Sequence, residues 1–203
     1  QGSRIENLKE ELQSETADNV KAIQSILNEA RGIATGLATA VETGKYDENS
    51  LKLIIQSTLT RNDLIFGSTV AYEPYKFNPD MYFWSPYFNR TADDQLKYTQ
   101  LGTPQYDYFN QDWYVIPKQN LIPTLSSPYF DEGGGEVWMI TWSAPFFDES
   151  RNFKGVATAD IEFSKIQHIF TDLQIGRTGY AFLLDSDGTI LGIGDDGGEF
   201  EVM

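Results

Sequence analysis

The sequence predicts an α+β fold, and three observations along the chain support this prediction. Apolar residues recur every three or four positions through the first forty residues. Short aromatic and β-branched segments, separated by turn residues, follow from Ile65 onward. A further helical segment and a new hairpin come last. Helices that precede and follow an uninterrupted run of strands are typical of α+β architecture.

The first segment has the pattern of a long amphipathic helix, which we assign to residues 4–43. An unbroken helix from Arg4 to Val41 would extend about 55 Å, more than one small domain requires. Its C-terminal part either lies along its own domain or projects, whereas its polar N-terminal part favours a stalk or dimer helix. The apolar positions that define it are Ile5, Leu8, Leu12, Val20, Ile23, Leu27, Ala30, Ala34, Leu37 and Val41.

A second helix is predicted directly after the first. Gly44 ends the long helix, and Asp47 begins a capping sequence. The apolar face of the second helix consists of Leu51, Ile54, Ile55 and Leu59.

The residue pattern of the next part of the chain predicts an antiparallel sheet. "IFGSTVAYE" and "MYFWSPYF" are predicted strands, and "GGGEVWMITWSAPFFDESRNFKGVATADIEF" predicts two successive strands joined at residues 148–152. Residues 163–173 return to a helical pattern. "GYAFLLDSDGTILGI" then predicts a hairpin around an Asp-Gly turn. We therefore expect a lobe over residues 44–175 and the incomplete beginning of a second lobe over residues 176–203.

Composition excludes several classes of function. The chain has 203 residues and a net charge of −15, which repels a phosphate backbone, so no nucleic-acid partner is expected. It has no cysteine and therefore neither disulfides nor thiolate metal sites. No apolar run reaches the roughly 18 residues of a membrane span.

Other site motifs are weak. His168 is the only histidine, which argues against a catalytic triad or a histidine metal site, and we expect it at the surface or an interface. The "DSDG" at Asp185 begins like a calcium loop but lacks the remaining ligands, so it predicts a turn. The triple glycine at Gly133 lacks the lysine of a phosphate loop. No catalytic residue, metal or cofactor is expected.

Four sequence segments, in the order in which they occur, resemble segments of one known protein family. They are "YDYFNQDWY", "SSPYFDEGGGEVWMITWSAPFF", "FKGVATADIEF" and "GRTGYAFLLDSDGTIL". The chain is similar to the double-Cache sensor domains, which have a PDC (PAS-like) fold, of prokaryotic sensor histidine kinases and chemoreceptors. The resemblance implies an extracytoplasmic sensor, not an enzyme, that binds a small molecule in its membrane-distal lobe. It also implies a homodimer formed through the N-terminal helix and membrane attachment through segments outside this sequence.

The resemblance also implies a ligand site. The amino-acid-binding branch of the family uses a tyrosine, an arginine two residues before a Trp-Tyr pair, an aspartate two residues after that pair, a later tyrosine and an aspartate at the end of a strand. The positions that agree with this pattern are Tyr106, Trp113, Tyr114, Tyr129 and Asp160, whereas Gln111 stands at the arginine position and Ile116 at the first aspartate position.

The two departures change the expected ligand. Arginine grips a carboxylate through two charge-assisted hydrogen bonds, and Gln111 cannot supply that charge. The remaining aromatic residues and the Asp160 carboxylate favour a cation. We therefore expect a small amine, or a polar ligand held by Gln111 and tyrosine hydroxyls.

Alternative interpretations remain at this point. Trp113 and Tyr114 could be core residues, and Asp160 could cap a loop or helix. The receptor could be a histidine kinase, our first choice, or a chemoreceptor. From a different class, a secreted carbohydrate-binding or glycoside-cleaving module also combines acidic residues with tryptophans, and it would need two carboxylates facing an open cleft.

Overall fold

The computed structural model describes residues 2–171, 182–184 and 190–193. The helices in this part of the chain are α1 (Gly2–Thr43), α2 (Glu48–Thr60), α3 (Asp112–Asn120) and α4 (Phe163–Thr171), with a short 3-10 helix at Tyr108–Asn110. The strands are β1 (Gly67–Tyr72), β2 (Ser85–Arg90), β3 (Leu96–Leu101), β4 (Thr124–Leu125), β5 (Tyr129–Phe130), β6 (Trp138–Phe147), β7 (Phe153–Glu162), β8 (Phe182–Leu184) and β9 (Ile190–Ile193).

The chain separates into two compact units. One unit consists of Asn28–Glu162, and the other combines Gln1–Leu27 with the chain from Phe163 onward. These boundaries differ from the lobe boundaries expected at residues 43 and 175, which remain a prediction.

The unit Asn28–Glu162 is built around an antiparallel sheet. Its strand order is β3-β2-β1-β7-β6-β4, and β5 also pairs with β6. The α+β prediction is confirmed, as is the hairpin of β6 and β7, whose strands are joined at residues 148–152. Strand β7 pairs with β1 on one edge and β6 on the other, and its consecutive residues from Gly155 to Ile161 are all buried, so both of its faces are covered.

Two predicted helices pack on this sheet unit. The C-terminal part of α1 buries Ala30, Ala34, Leu37, Ala38 and Val41, which follow the apolar periodicity. It ends at Thr43, and the backbone N–H of Gly44 donates to the Ala40 carbonyl at 2.9 Å.

Helix α2 starts as predicted. The Asp47 carboxylate accepts a hydrogen bond from the Ser50 N–H at 2.7 Å and so satisfies one free amide of the first turn. Leu51, Ile55 and Leu59 are fully buried, and the helix packs on β1 and β2.

The other unit contains the predicted late hairpin. Strands β8 and β9 pair antiparallel, with Phe182 opposite Ile193. The "DSDG" turn lies outside the described residues. Across the part of the chain that the structure describes, no helix combines the length and apolar character needed to span a membrane.

Candidate functional site

A cavity of about 310 Å³ opens beside the N-terminal end of α3, within the unit Asn28–Glu162. Volumes of this size suit a small ligand. Three of the six predicted site residues line it, namely Gln111, Trp113 and Tyr129. The complete lining consists of Asn110, Gln111, Asp112, Trp113, Ile116, Ser126, Ser127, Pro128 and Tyr129.

Local backbone structure places Gln111 and Trp113 at the cavity. The Asp107 carboxylate accepts a hydrogen bond from the Phe109 N–H at 3.0 Å and so caps the 3-10 helix that leads into α3. Gln111 is extended at the N-cap of α3, and its side chain makes no capping hydrogen bond. The Gln111 carboxamide is therefore available to a ligand.

Trp113 connects the cavity wall to a buried carboxylate. Only 5% of Trp113 is exposed, and its Nε1–H donates to the Tyr106 hydroxyl at 3.3 Å. The Tyr106 hydroxyl in turn donates to Oδ1 of Asp131 at 2.6 Å. Tyr106 thus lies behind the wall and does not line the cavity.

Asp131 is held by the triple glycine. The Gly135 N–H donates to Asp131 Oδ2 at 2.7 Å, and a side chain at Gly134 would collide with the same carboxylate. Gly133 has φ of +84°, a left-handed conformation that favours glycine. Gly134 and Gly135 therefore pack closely around the Asp131 carboxylate, whereas Gly133 lies against the Tyr106 ring.

Asp160 lies on the central strand β7, opposite Gly67 of β1 and Thr141 of β6. Only 3% of the residue is exposed. Burial and, to a smaller extent, the nearby Asp131 carboxylate raise the pKa of Asp160 to about 8, against the opposing effect of the Thr141 and Thr158 hydroxyls. The Tyr87 hydroxyl lies beside this carboxylate but makes no well-aligned hydrogen bond with any described residue.

Tyr129 connects the opposite wall to Asp160. Its hydroxyl is hydrogen bonded to the Thr141 hydroxyl at 2.8 Å, and Thr141 is the cross-strand partner of Asp160. Each aromatic wall of the cavity is therefore linked to a buried carboxylate, Trp113 through Tyr106 and Tyr129 through Thr141.

Tyr114, unlike Trp113, does not line the cavity. It is fully buried, and its hydroxyl donates to Glu73 Oε1 at 2.7 Å, the atom that also accepts from Lys118 Nζ at 2.7 Å. Its ring packs edge-on against Tyr108. Tyr114 fixes α3 to the sheet and does not line the cavity.

Sequence reasoning missed Asp131. Its signal was its position two residues before the triple glycine, whose backbone N–H groups can donate to a buried acid. Asp112, the one charged residue in the cavity lining, was also missed. Ile116, which stands where the family pattern has an aspartate, is part of the lining.

The site is electrostatically negative. Neither Asp131 nor Asp160 forms an ion pair with any cationic side chain in the described residues, although five other acidic residues of the same unit do so: Glu42, Glu48, Glu73, Asp63 and Asp94. Within the residues that the structure describes, no cluster of Asp, Glu or His side chains is suited to hold a metal ion. An organic cation fits this field better than an anion does.

An antiparallel sheet with flanking helices, as in this chain, is the architecture of PAS-like sensor domains. Within that class, the family described as "Methyl-accepting chemotaxis protein-like, first PDC sensor domain" matches residues 51–168, more than half of the chain. The chain belongs to this family, as the resemblance implied.

Individual relatives agree with this assignment. The methyl-accepting chemotaxis protein PctB of Pseudomonas aeruginosa is 31% identical over 86 residues, which are 42% of this chain and 13% of the length of PctB. The extracellular domain of soHK1S-Z6, assigned as a histidine kinase, has a TM-score of 0.79 and 28% identity, covering 93% of this chain and 71% of that one.

A third relative was solved with a ligand. The ligand-binding domain of the Pseudomonas aeruginosa amino-acid chemoreceptor PctC, in complex with GABA, has a TM-score of 0.61 and 20% identity, covering 86% of this chain and 70% of that one. At this identity the likeness concerns the fold alone. The relatives are sensor domains of histidine kinases and chemoreceptors, so the chain has the fold of a ligand-sensing domain.

Proposed function

We propose that this chain is the extracytoplasmic sensing part of a membrane receptor and that it binds a small amine in the cavity beside α3. The observation that carries this proposal is the pair of buried carboxylates, Asp131 and Asp160, that lack a cationic partner in the described residues and adjoin the two aromatic walls. An ammonium group supplies the missing charge and is also attracted to the faces of Trp113 and Tyr129.

The lining favours an amine over an α-amino acid. Its charged member is the Asp112 carboxylate, and it contains neither arginine nor lysine. A ligand carboxylate would meet the uncharged Gln111 carboxamide and Ser127 hydroxyl, which bind it less strongly than a guanidinium does. PctC in complex with GABA gives a precedent for an amine-bearing ligand in this fold.

We assign the receptor to the sensor histidine kinases. The likeness to soHK1S-Z6 over 93% of the chain supports this choice. A chemoreceptor is the second candidate, favoured by the matching family and by PctB. Autophosphorylation of the intact receptor from ATP distinguishes the two.

The carbohydrate alternative receives less support. A glycoside-cleaving site needs two carboxylates that face an open cleft. Asp131 and Asp160 are 5% and 3% exposed, and the cavity lining in the described chain offers Asp112 alone.

Strand β6 provides a physical route from the cavity to α1. Thr141 faces the site, where it contacts Tyr129, and the next residue, Trp142, faces the opposite side of the sheet. There the Arg31 guanidinium of α1 lies 5.4 Å from the Trp142 ring centroid. We propose that ligand binding displaces α1 through this pair of neighbouring residues and that a dimer formed through α1 carries the signal to the membrane.

A thermal-shift panel of small amines, α-amino acids and carboxylates tests the proposed function. A ligand at about 100 times its Kd adds about 2.7 kcal/mol to the free energy of unfolding, which raises the Tm by about 5–10 °C for a chain of this size. We expect amines to give this shift and carboxylates to give none. A panel in which carboxylates shift the Tm and amines do not would contradict the proposal.

A matched pair of variants tests whether the amine binds beside Asp160. Asp160→Asn removes the buried charge and is expected to weaken amine binding at least about tenfold. Asp80→Asn makes the same chemical change at an exposed position outside the cavity, and the affinity should be unchanged. Equal losses in both variants would mean that overall charge, not the site, attracts the ligand.

A further inference from the structure

Asp131 and Asp160 occupy one buried environment. The Tyr87 hydroxyl lies between them: a side chain added at Gly67 would meet this hydroxyl and Asp160 Oδ2, and one added at Gly135, whose N–H donates to Asp131 Oδ2, would also meet it. Burial and the two nearby acids raise the pKa of Tyr87, and they also raise those of Tyr106 and Tyr129. Asp131 and Asp160 also act on each other, since the Asp131 charge raises the pKa of Asp160.

The surroundings of this pair supply few charges that could stabilise two anions. Asp131 accepts hydrogen bonds from the Tyr106 hydroxyl and the Gly135 N–H, and it has the Glu136 carboxylate as a further negative neighbour. Asp160 has the hydroxyls of Thr141 and Thr158 and the unpartnered hydroxyl of Tyr87. None of these groups carries a positive charge at neutral pH.

Two buried anions without a cation cannot both remain ionised at little cost. A proton shared by the pair removes one charge, as in other carboxylate pairs held close together. An ammonium ligand in the adjoining cavity would remove the need for that proton, because it supplies a positive charge beside Trp113 and Tyr129, the wall residues that hydrogen bonds connect to the pair.

We propose that the ligand-free site holds one proton on the Asp131–Asp160 pair and that a bound amine releases this proton to solvent. The inference rests on the proposed function and adds its regulation by pH. One ammonium enters and one proton leaves, so the total charge of site and ligand is conserved in the exchange. The receptor would then respond to amine concentration and to external pH through the same pair.

The direction of the pH dependence follows from linkage. Burial raises the pKa of Asp160 to about 8 in the ligand-free protein, and it also raises the pKa of Asp131. Below about pH 8 the amine competes with a proton, so its affinity should increase with pH, by up to about tenfold per unit. Above that pH the pair is ionised before the ligand arrives, and the affinity should level off. An alkylammonium remains charged throughout, with a pKa of about 10.4.

Titration calorimetry of the full chain with n-butylamine and 1,4-diaminobutane, in buffers of different ionisation enthalpy, tests the coupling. We expect release of about 0.5–1 proton per bound amine near pH 6.5 and almost none near pH 9. Binding without proton release at the lower pH would overturn the coupling and leave the proposed function standing. Absence of binding by either amine would overturn both.

The ligand-free protein provides an independent measurement. Infrared spectroscopy should show the carbonyl band of a protonated buried carboxyl at neutral pH, which disappears when amine is added and titrates away near pH 8. Asp160→Asn should remove this band, whereas Asp80→Asn should retain it. If the ligand-free wild type lacks the band, no proton is stored and the inference is wrong, even where Asp160→Asn fails to fold.

Discussion

Trp113 and Tyr114 are neighbours in the chain, but their side chains occupy different environments on α3. Trp113 lines the cavity and bonds to Tyr106, whereas Tyr114 is fully buried and bonds to Glu73. Consecutive residues of a helix lie about 100° apart around its axis, so the pair cannot serve one pocket equally. One half of the Trp-Tyr motif therefore adjoins the candidate ligand and the other anchors the helix.

Removing one hydroxyl from each of two tyrosines tests this division. Tyr129→Phe deletes the bond to Thr141 at the cavity wall, and we expect amine affinity to fall about threefold to tenfold. Tyr114→Phe deletes the bond to Glu73 and should lower the free energy of unfolding by about 0.5–1.5 kcal/mol with unchanged affinity. Calorimetry and thermal denaturation measure the two effects. Loss of affinity in Tyr114→Phe would mean that Tyr114 contacts the ligand, as the family pattern implies.

The candidate residues could be predicted only in part. Gln111, Trp113 and Tyr129 line the cavity, while Tyr106 and Asp160 lie behind its walls. Asp131 could not be found from spacing, because its importance depends on how the glycine-rich loop folds back to bring it beside Asp160. Whether these residues bind the ligand remains a prediction.

At the scale of elements, periodic patterns gave reliable predictions and irregular segments did not. The apolar repeat predicted α1, and β-branched, aromatic runs predicted β1, β2, β6 and β7. Helix α3 had no such signal, since it is nine residues long and contains Pro117, and the residue that follows it, Leu121, has a left-handed conformation with φ of 57°. Its formation depends on packing against β6 and β7.

The contact between α1 and β6 predicts a measurable movement. The chain has no cysteine, so spin labels can be attached to single cysteines introduced at the exposed positions Thr35 and Lys97. We expect amine binding to change the distance between the labels by about 1–2 Å, the size of helix shifts in signalling proteins. Pulsed electron paramagnetic resonance measures this distance.

Matched arginine variants show whether the contact with Trp142 carries the movement. Arg31→Met removes the charge over the Trp142 ring and should abolish the shift without changing amine affinity. Arg61→Met removes an exposed arginine at the end of α2 and should leave the shift intact. A shift that persists in Arg31→Met would contradict this route.

At the scale of the whole molecule, the net charge of −15 should attract cationic ligands. Raising the salt concentration from about 0.05 M to about 0.5 M shortens the range of this attraction, so amine association should slow severalfold. Stopped-flow binding measurements check the effect, with a neutral additive at equal osmolarity as the control. A salt-independent rate would show that the local carboxylates alone determine association.

The sequence by itself determined the fold class, the family and the aromatic composition of the candidate site. These properties follow from local patterns, since periodicity and turn residues act over a few neighbouring positions. The tertiary structure decided which residues meet. Asp131 and Asp160 lie 29 positions apart in the chain, and Thr141 lies between them. The acids come together only because β6 pairs with β7 and the glycine loop folds back. Burial then shifts their pKa values, because the surrounding side chains exclude the water that would solvate two charges.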